Sequence, residues 1–144
     1  TVFNLLVGNA DCHAKNLSFF VDAQGIELSP FYDLVNVLLF DFAHDWAMGL
    51  GDEFLDNGSL PSTYDLACFA HACELPGRLV SQRFENQINL LAGAAKSMFS
   101  QLPPLSEFER QHLHQYQQIL DTRLRHFQQH AKGIQRAISD LILS

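Results

Sequence analysis

Long apolar runs, paired cysteines and basic residues are all scarce in this sequence. No apolar stretch approaches the roughly 18 residues that a membrane-spanning helix needs, and no basic segment precedes a short apolar one in the manner of a secretory signal. The three cysteines, Cys12, Cys68 and Cys73, are an odd number at ordinary spacing. Free thiols are typical of a reducing compartment, so we expect a cytoplasmic protein without a membrane partner.

Positive charge is scarcest in the first 60 residues, where Lys15 is the only base beside nine acids. The whole chain has a net charge of −7. An acidic chain repels the phosphates of nucleic acids, which argues against a protein that binds nucleic acid directly. An acidic first half suits divalent cations, although a solvated acidic surface is the more common explanation for such a charge distribution.

The composition is that of one globular domain covering residues 1–144. Hydrophobic residues make up 47% of the chain and charged residues 17%. A chain of this length buries enough surface to fold without disulfides or metals. The sequence opens on Thr1, without a methionine and already within an apolar stretch, so we expect it to be a piece of a longer protein.

The first 40 residues are predicted to hold a short helix, a polar loop and a β-hairpin. Phe3–Asn9 resembles a helix end that is stopped by Gly8. Asn16–Val21 and Gly25–Ser29 have the composition of two strands, and the residues between them can form a tight turn. An apolar segment, Phe31–Phe40, follows the hairpin.

A loop is predicted over residues 41–60, and the chain from 61 to 144 is predicted to be helical. Ser62 and Ser106 are each followed three residues later by an acid, which is the pattern of a capping box. Four helices are expected, with approximate bounds 63–74, 76–100, 106–131 and 134–143. The two long helices carry apolar stripes at steps of three and four, namely Val80, Phe84, Ile88, Leu91, Ala92, Ala95, Met98 and Phe99, and then Leu113, Tyr116, Leu120, Leu124 and Phe127. The sequence therefore predicts a mainly α fold with a small β-hairpin.

A polar segment with the sequence GNADCHAKN, Gly8–Asn16, lies between the first helix and the hairpin. Phosphoryl transfer needs a carboxylate near the attacking hydroxyl, oxygen ligands for Mg²⁺ and a positive group near the transferred phosphate. Asp11 and Asn16 are five residues apart, as are the catalytic Asp and the metal-binding Asn of the protein-kinase catalytic loop. The hairpin then returns the chain to Asp33, so Asn16 and Asp33 are candidate ligands of one Mg²⁺.

Three segments together resemble the C-terminal lobe of HipA-type serine/threonine kinases, which are the toxins of bacterial toxin–antitoxin modules. The segments are GNADCHAKNLSFF, LSPFYDL and DWAMGLGDEF. The likeness is dense over residues 1–55 and loose beyond them, where only helical character agrees. It implies the helical C-lobe of a kinase-like fold, related to HipA and the PI3/4-kinases, from which the N-terminal lobe is absent.

The resemblance implies a role for each polar residue of the loop. Asp11 would be the catalytic base, His13 would support the loop, and Lys15 would lie near the phosphates. Asn16 and Asp33 would bind Mg²⁺, with ATP as the co-substrate. A further family segment is matched by Asp45, Met48 and Gly49, for which no chemistry follows.

The resemblance also implies partners. A HipB-like DNA-binding antitoxin would silence the kinase, and the protein substrate would belong to translation, for example an aminoacyl-tRNA synthetase. The family's phosphate-binding loop, adenine-contacting hinge and phosphate-binding lysine belong to its N-terminal portion, which would precede Thr1. We therefore expect the isolated chain to be inactive and to need that N-terminal kinase lobe.

Two other classes of function remain open. A small-molecule or lipid phosphotransferase could use the same D-x-H-x-x-N loop, although Lys15 and the SPFYDL segment argue against it. A non-catalytic helical binding module, or one half of a split kinase, would instead use apolar surface to dock an N-terminal partner. An exposed apolar seam near residues 1–8 would favour this last function.

The other histidines and cysteines are predicted to have no chemical role. Cys68 and His71 share a helix face but Cys73 does not, so we expect no zinc site, which needs four convergent ligands or three and a water. Trp46 is predicted to be an anchor in the loop or the core. Six histidines are predicted to be scattered surface positions: His44, His71, His112, His114, His126 and His130.

Overall fold

The computed structural model describes residues 1–40, 45–50 and 59–143, so most of the predicted 41–60 loop and His44 lie outside the described residues. The predicted mainly helical fold with one small hairpin is confirmed. The elements are, in chain order, α1 (Val2–Val7), β1 (Phe19–Asp22), β2 (Gly25–Leu28), α2 (Thr63–Ala72), α3 (Gly77–Ser100), α4 (Glu107–His130) and α5 (Ile134–Leu143), with 3₁₀ turns at Ala14–Asn16, Val37–Leu39 and Ala131–Gly133.

Helix α1 ends at the predicted glycine. Gly8 has a φ of 77° and donates its backbone N–H to the carbonyl of Asn4, a left-handed helix end that glycine adopts at little cost. A Cβ at this position would lie 2.8 Å from Cδ1 of Leu38. Gly8 therefore ends the helix and also lets the turn at Val37–Leu39 pack closely against the start of the polar loop.

The hairpin has the predicted turn, but its first strand begins later than predicted. β1 and β2 pair antiparallel, with Phe19 opposite Leu28 and Asp22 opposite Gly25. The turn is closed by Oδ1 of Asp22, which accepts the N–H groups of Gln24 and Gly25 at 2.7 and 3.2 Å. The first strand starts at Phe19 instead of Asn16 because the chain first makes a 3₁₀ turn that ends at Asn16.

The helical half follows the sequence closely. Ser62 and Ser106 form the predicted capping boxes with Asp65 and Glu109 at the starts of α2 and α4. α3 begins at Gly77, one residue after the predicted start at 76, and Pro76 is its N-cap residue. The break predicted before the last helix is a 3₁₀ turn that passes directly into α5.

The core forms where α1 meets the four longer helices. Its centre is the ring pair Phe84 and Phe127, whose centroids lie 5.1 Å apart in a stacked arrangement. Trp46 is buried in the same cluster, as the anchor prediction requires. Two members of the predicted α3 stripe, Ala92 and Met98, are exposed instead, so fewer apolar side chains of the stripe are buried toward the end of this helix.

No helix in the described segments is both long and apolar enough to cross a membrane.

We expect Gly8→Ala to lower the free energy of unfolding by about 1–3 kcal/mol. A left-handed backbone costs a residue with a side chain about 1–2 kcal/mol, and the new Cβ must also displace Leu38. Gly93→Ala is the matched control, because no atom lies within 4 Å of a Cβ built there. In the middle of α3, alanine should stabilise the chain by up to about 1 kcal/mol. Urea unfolding measures both changes, and an unchanged stability of Gly8→Ala would contradict this expectation.

Two histidines predicted to be surface positions are partly buried and join α4 to the start of α2. His126 Nε2 donates to the carbonyl oxygen of Pro61 at 2.8 Å, and the backbone N–H of Thr63 donates to His130 Nδ1 at 3.1 Å. The two imidazole rings stack with centroids 4.2 Å apart. The surface prediction was wrong for these two because both lie on the part of α4 that contacts the α2 N-terminus. A backbone N–H can only donate, so Nδ1 of His130 is unprotonated in the fold.

Stability should fall on acidification through His130. Burial lowers the pKa of His130 from its usual value, and the charge of His126 lowers it further. The unfolded chain therefore takes up this proton at a higher pH than the folded chain. The stability that neutral His130 contributes to the fold is fully present above about pH 6.5. It is lost as the pH falls through the lower pKa of His130 in the folded state.

Urea unfolding at a series of pH values from about 8 to about 5 measures this contribution. His130→Gln keeps an acceptor but cannot titrate, so its stability should depend less on pH than that of the wild type. His114→Gln, on an exposed position of the same helix, should follow the wild type. Parallel curves for His130→Gln and the wild type would show that this hydrogen bond is not the source of the pH dependence.

Candidate active site

The polar loop folds back on itself through the side chain of Asn16. Asn16 is 6% exposed, and its Nδ2 donates to the backbone carbonyl of Asp11 at 3.3 Å. A carbonyl can only accept, so this bond fixes which end of the amide is nitrogen. No donor among the described residues reaches Oδ1 of Asn16, which leaves that oxygen available to a ligand.

A second buried amide, that of Asn9, connects the loop to Asp33. Asn9 is 2% exposed. Its Nδ2 donates to Oδ1 of Asn4 at 3.3 Å and to the backbone carbonyl of Asp33 at 3.4 Å. Asp33 has a φ of 56°, a left-handed conformation that is uncommon for a residue with a side chain. The chain is thus held in a strained conformation where it returns from the hairpin to the loop.

The hydroxyl of Tyr32 makes a third connection, which the sequence analysis missed. It donates to the carbonyl of Lys15 at 2.6 Å and lies 2.9 Å from Oγ of Ser18. The hairpin ladder ends next to this contact, where the N–H of Ser29 donates to the carbonyl of Ser18 at 2.9 Å. Lys15 precedes Asn16 and Tyr32 precedes Asp33, so one hydroxyl bridges the neighbours of the two predicted metal ligands.

The charged side chains of the site remain open. Asp11, Lys15 and Asp33 are all exposed, and none of the three forms an ion pair within the described parts of the chain. His13 differs, because its Nδ1 is buried without a hydrogen-bond partner among the described residues. The predicted residues therefore share one region of the molecule, with carboxylates that face solvent.

The donor set suits Mg²⁺ bound together with nucleotide phosphates. Mg²⁺ prefers hard oxygen ligands and is usually held by one or two carboxylates together with substrate phosphates. Asp33 offers a carboxylate that no described residue engages, and Asn16 offers a free amide oxygen. A metal site formed by protein side chains alone would need more ligands. The described residues contain no group of three or more His, Cys, Asp or Glu side chains that could hold a metal ion.

A small apolar cavity of about 120 Å³ lies beside the loop and is lined by Cys12, His13, Trp46 and Met48, among others. Its wall is fixed in part by Asn4, whose Nδ2 donates to Sγ of Cys12 at 2.7 Å. The segment 45–50 forms another side of it and pairs with the loop, because the N–H of Ala47 donates to the carbonyl of Ala10 at 2.9 Å. The matched family segment around Met48 therefore packs against the polar loop.

A buried cation, Arg123, supports the helix that leads into the loop. Its Nε donates to the carbonyl of Leu5 at 2.7 Å, and its guanidinium lies 5.4 Å from the ring centroid of Trp46 and 5.8 Å from that of Phe127. Burial lowers the pKa of Arg123 to about 10, so it is still charged at neutral pH. The sequence carried a signal that could have found it, because Arg123 falls between Leu120 and Phe127 in the apolar stripe of α4.

The hairpin carries several large apolar side chains that the fold leaves exposed. In the observed register, Phe19 pairs with Leu28 and Val21 with Ile26, and these four side chains lie on one side of the hairpin because strand faces alternate. They are 58%, 43%, 74% and 74% exposed in that order. We call them the apolar hairpin face.

The exposed apolar seam considered for residues 1–8 is not found at residues 4–8, because these residues are buried.

Comparison with known proteins decides the family. A family model described as the HipA-like C-terminal domain matches residues 1–98. The chain belongs to the HipA-like C-terminal domain family. The match reaches well beyond the dense likeness over residues 1–55, into α3, and the predicted resemblance is confirmed.

Two relatives are kinases by name. The serine/threonine-protein kinase toxin HipA of Shewanella oneidensis is 38% identical over 123 residues, covering 85% of this chain and 28% of the relative. The putative kinase Y4mE of Sinorhizobium fredii is 45% identical over 51 residues, covering 35% of this chain and 12% of the relative. The HipA-like chain thus spans less than a third of the length of these relatives.

The fold agrees with that of a solved HipA. Shewanella oneidensis HipA, determined in a complex with HipB and its operator DNA, superposes with a TM-score of 0.86 and 33% identity. The superposition covers 94% of this chain and 32% of that protein. The predicted architecture, a helical lobe of the HipA type with one hairpin, is therefore confirmed.

Arg123→Ala should lower the free energy of unfolding by about 2–3 kcal/mol. The change removes a buried, charge-assisted hydrogen bond and leaves the Leu5 carbonyl without its donor. Arg125→Ala is the control on the same helix, at an exposed position, and should change stability by less than about 0.5 kcal/mol. Chemical unfolding compares the two variants, and an equal effect would show that the buried contact adds nothing.

Proposed function

We propose that this chain is the C-terminal catalytic subdomain of a HipA-like serine/threonine protein kinase toxin. The complete kinase transfers the γ-phosphate of ATP to a serine or threonine hydroxyl of a protein substrate. The isolated chain is inactive, because the family's nucleotide-binding loop, hinge and phosphate-binding lysine belong to an N-terminal lobe. The family assignment supports a kinase ancestry, and the contacts around the polar loop support the catalytic part of the proposal.

The single observation that carries the proposal is the pair of amide contacts within the loop. Asn16 bonds to the carbonyl of Asp11, and Asn9 bonds to the carbonyl of Asp33. The first bond joins two of the proposed site residues and the second ties Asp33 to the start of the loop, while the carboxylates of Asp11 and Asp33 stay exposed; these contacts support the proposed convergence. Such a convergence suits a reaction in which positioning and electrostatic stabilisation do most of the work.

Each residue has a proposed role in phosphoryl transfer. Asp11 accepts the proton of the substrate hydroxyl, and the carboxylate of Asp33 and Oδ1 of Asn16 bind Mg²⁺ on the ATP phosphates. The Mg²⁺ ion supplies charge neutralisation on the transferring phosphoryl group. Lys15, the only base in the first 60 residues, lies near the phosphates. His13 supports the loop from its partly buried position.

The apolar hairpin face supports the proposed N-terminal partner. Four large apolar side chains on one face of a two-stranded hairpin expose surface that water disfavours. An N-terminal kinase lobe that covers this face would remove that cost and bring its nucleotide-binding groups next to the loop. The short share of its relatives that the chain spans agrees with a missing lobe of this kind.

The remaining partners are proposed from the family. A HipB-like DNA-binding antitoxin binds and silences the kinase in the cytoplasm, as the joint structure of the Shewanella HipA with HipB suggests. The protein substrate is a component of translation such as an aminoacyl-tRNA synthetase. Direct contact of this chain with nucleic acid is not part of the proposal, because its net charge is −7 and like charges repel.

A second function, one half of a split kinase, is favoured by the same apolar hairpin face. In that case the N-terminal lobe is a separate chain, and the two halves assemble by covering this face. The catalytic residues and chemistry are the same as in the first proposal. Only the covalent connection between the lobes differs.

Phosphate transfer from ATP tests the proposed function. We expect no transfer by the 144-residue chain alone and transfer by the protein that carries the N-terminal lobe, in one chain or as a mixed pair. In that complete kinase, Asp11→Asn should reduce the rate by about 100-fold to 10,000-fold, because it removes the general base. Transfer by the isolated chain would contradict its predicted inactivity.

Asp140→Asn is the matched control for charge, since Asp140 is an exposed acid of α5 far along the chain from the loop. Its rate should equal that of the wild type. An Asp11→Asn enzyme that kept full activity would exclude Asp11 as the base. A complete protein that phosphorylated small alcohols but no protein would favour the small-molecule phosphotransferase instead.

A further inference from the structure

The hydroxyl of Tyr32, which follows β2, contacts Lys15 and Ser18, which precede β1, at the base of the hairpin near the proposed metal ligands. Tyr32 belongs to the SPFYDL segment. The proposed chemistry does not explain why this tyrosine contacts Lys15 and Ser18. The hydroxyl has a single proton, and it goes to the Lys15 carbonyl at 2.6 Å because a carbonyl cannot donate. Oγ of Ser18, 2.9 Å away, must then donate its own proton to the Tyr32 oxygen.

The Tyr32–Lys15 and Ser18–Tyr32 hydrogen bonds connect the two sides of the hairpin beyond its last backbone hydrogen bond. The final backbone bond of the ladder joins Ser29 to Ser18, and no backbone bond among the described residues links 30–33 to 11–17. Tyr32 spans this gap with its side chain. Because Lys15 adjoins Asn16 and Tyr32 adjoins Asp33, the bridge ties together the backbone neighbours of the two proposed ligand residues.

We propose that Tyr32 is a positioning residue that fixes Asn16 and Asp33 at the separation needed to share one divalent cation. This inference rests on the proposed function, since it assumes that Asn16 and Asp33 are the ligands. Tyr32 does not touch the cation and acts only through the backbone of its neighbours. Groups behind metal ligands have effects of this kind, and their loss typically reduces metal affinity by about 10-fold to 100-fold.

Mn²⁺ alone, added to the ¹⁵N-labelled 144-residue chain, is the probe that tests the inference. Mn²⁺ stands in for Mg²⁺ and broadens the NMR signals of nuclei near its site. In the wild type we expect the signals of the Asn16 side chain and the Asp33 backbone to broaden together. In Tyr32→Phe, which keeps the ring and removes only the hydroxyl, the same broadening should require at least about tenfold more Mn²⁺.

Tyr116→Phe is the matched control, because it makes the same change on α4, where the ring of Tyr116 packs edge-on against Phe99. Its Mn²⁺ response should equal that of the wild type. Ser18→Ala removes the donor to the Tyr32 oxygen while keeping the Tyr32–Lys15 bond, so it should weaken Mn²⁺ binding by a smaller factor. Urea unfolding of all variants is measured in parallel.

The outcomes separate the two proposals. If the wild type shows no joint broadening, Asn16 and Asp33 do not share a cation in the chain without nucleotide phosphates, and this inference is wrong. The metal role proposed for the complete kinase is a separate claim, because there the ATP phosphates supply further ligands. If the wild type responds and Tyr32→Phe responds equally, only the positioning role is wrong. Tyr32→Phe could also shift the NMR signals of residues throughout the helical half, or lose as much free energy of unfolding as its loss of Mn²⁺ affinity corresponds to. In either case the hydroxyl is a general structural contact and the inference fails.

Discussion

The buried amide of Asn9 is the interaction on which the candidate site depends. It holds the carbonyl of Asp33 next to the end of α1, while its own oxygen has no partner among the described residues. An unpaired buried polar atom costs about 1–3 kcal/mol, and the left-handed backbone of Asp33 adds to that cost. Unfavourable features that cluster at one place in a fold are typical of functional sites. Here they lie where the chain leaves the hairpin, between a well-packed helical core and an exposed loop.

The rigidity of the site comes from the helices beneath it. Arg123 on α4 binds the carbonyl of Leu5 in α1, and Gly8 then ends α1 against Leu38. The loop therefore starts from a fixed point, because α1 is buried along most of its length. The side chains of Asp11, Lys15 and Asp33 are exposed, whereas that of Asn16 is largely buried, so the fold combines a packed base with charged groups that are open to solvent. This arrangement agrees with the proposed phosphoryl transfer, whose catalysis is largely positioning.

The sequence alone predicted the helices, the hairpin and most of their ends, but it did not predict the contacts between these elements. Gly8, the two capping boxes and the hairpin turn follow local rules that depend on a few adjacent residues. Tyr32, Asn9 and the His126–His130 pair act through residues distant in sequence, and no local pattern reveals such partners. Arg123 was missed for a different reason. A charged residue is normally assigned to the surface, although the spacing of Leu120, Leu124 and Phe127 shows that Arg123 lies on the buried face.

The apolar hairpin face and the exposed charged groups of the loop have a common explanation under the proposed function. A hairpin of two short strands buries little by itself and is marginal without further packing, yet this one projects with its large side chains uncovered. The Tyr32 bridge and the turn at Asp22 hold the ribbon at its two ends, and the side chains of the apolar hairpin face stay uncovered between them. A partner that covers this face gains apolar contact area, and the strand that carries part of the face follows directly on the loop that holds Asp11 and Asn16. In the proposed kinase, docking of the N-terminal lobe on this face would be coupled to completion of the site, so a chain with an intact loop would still depend on that lobe for chemistry.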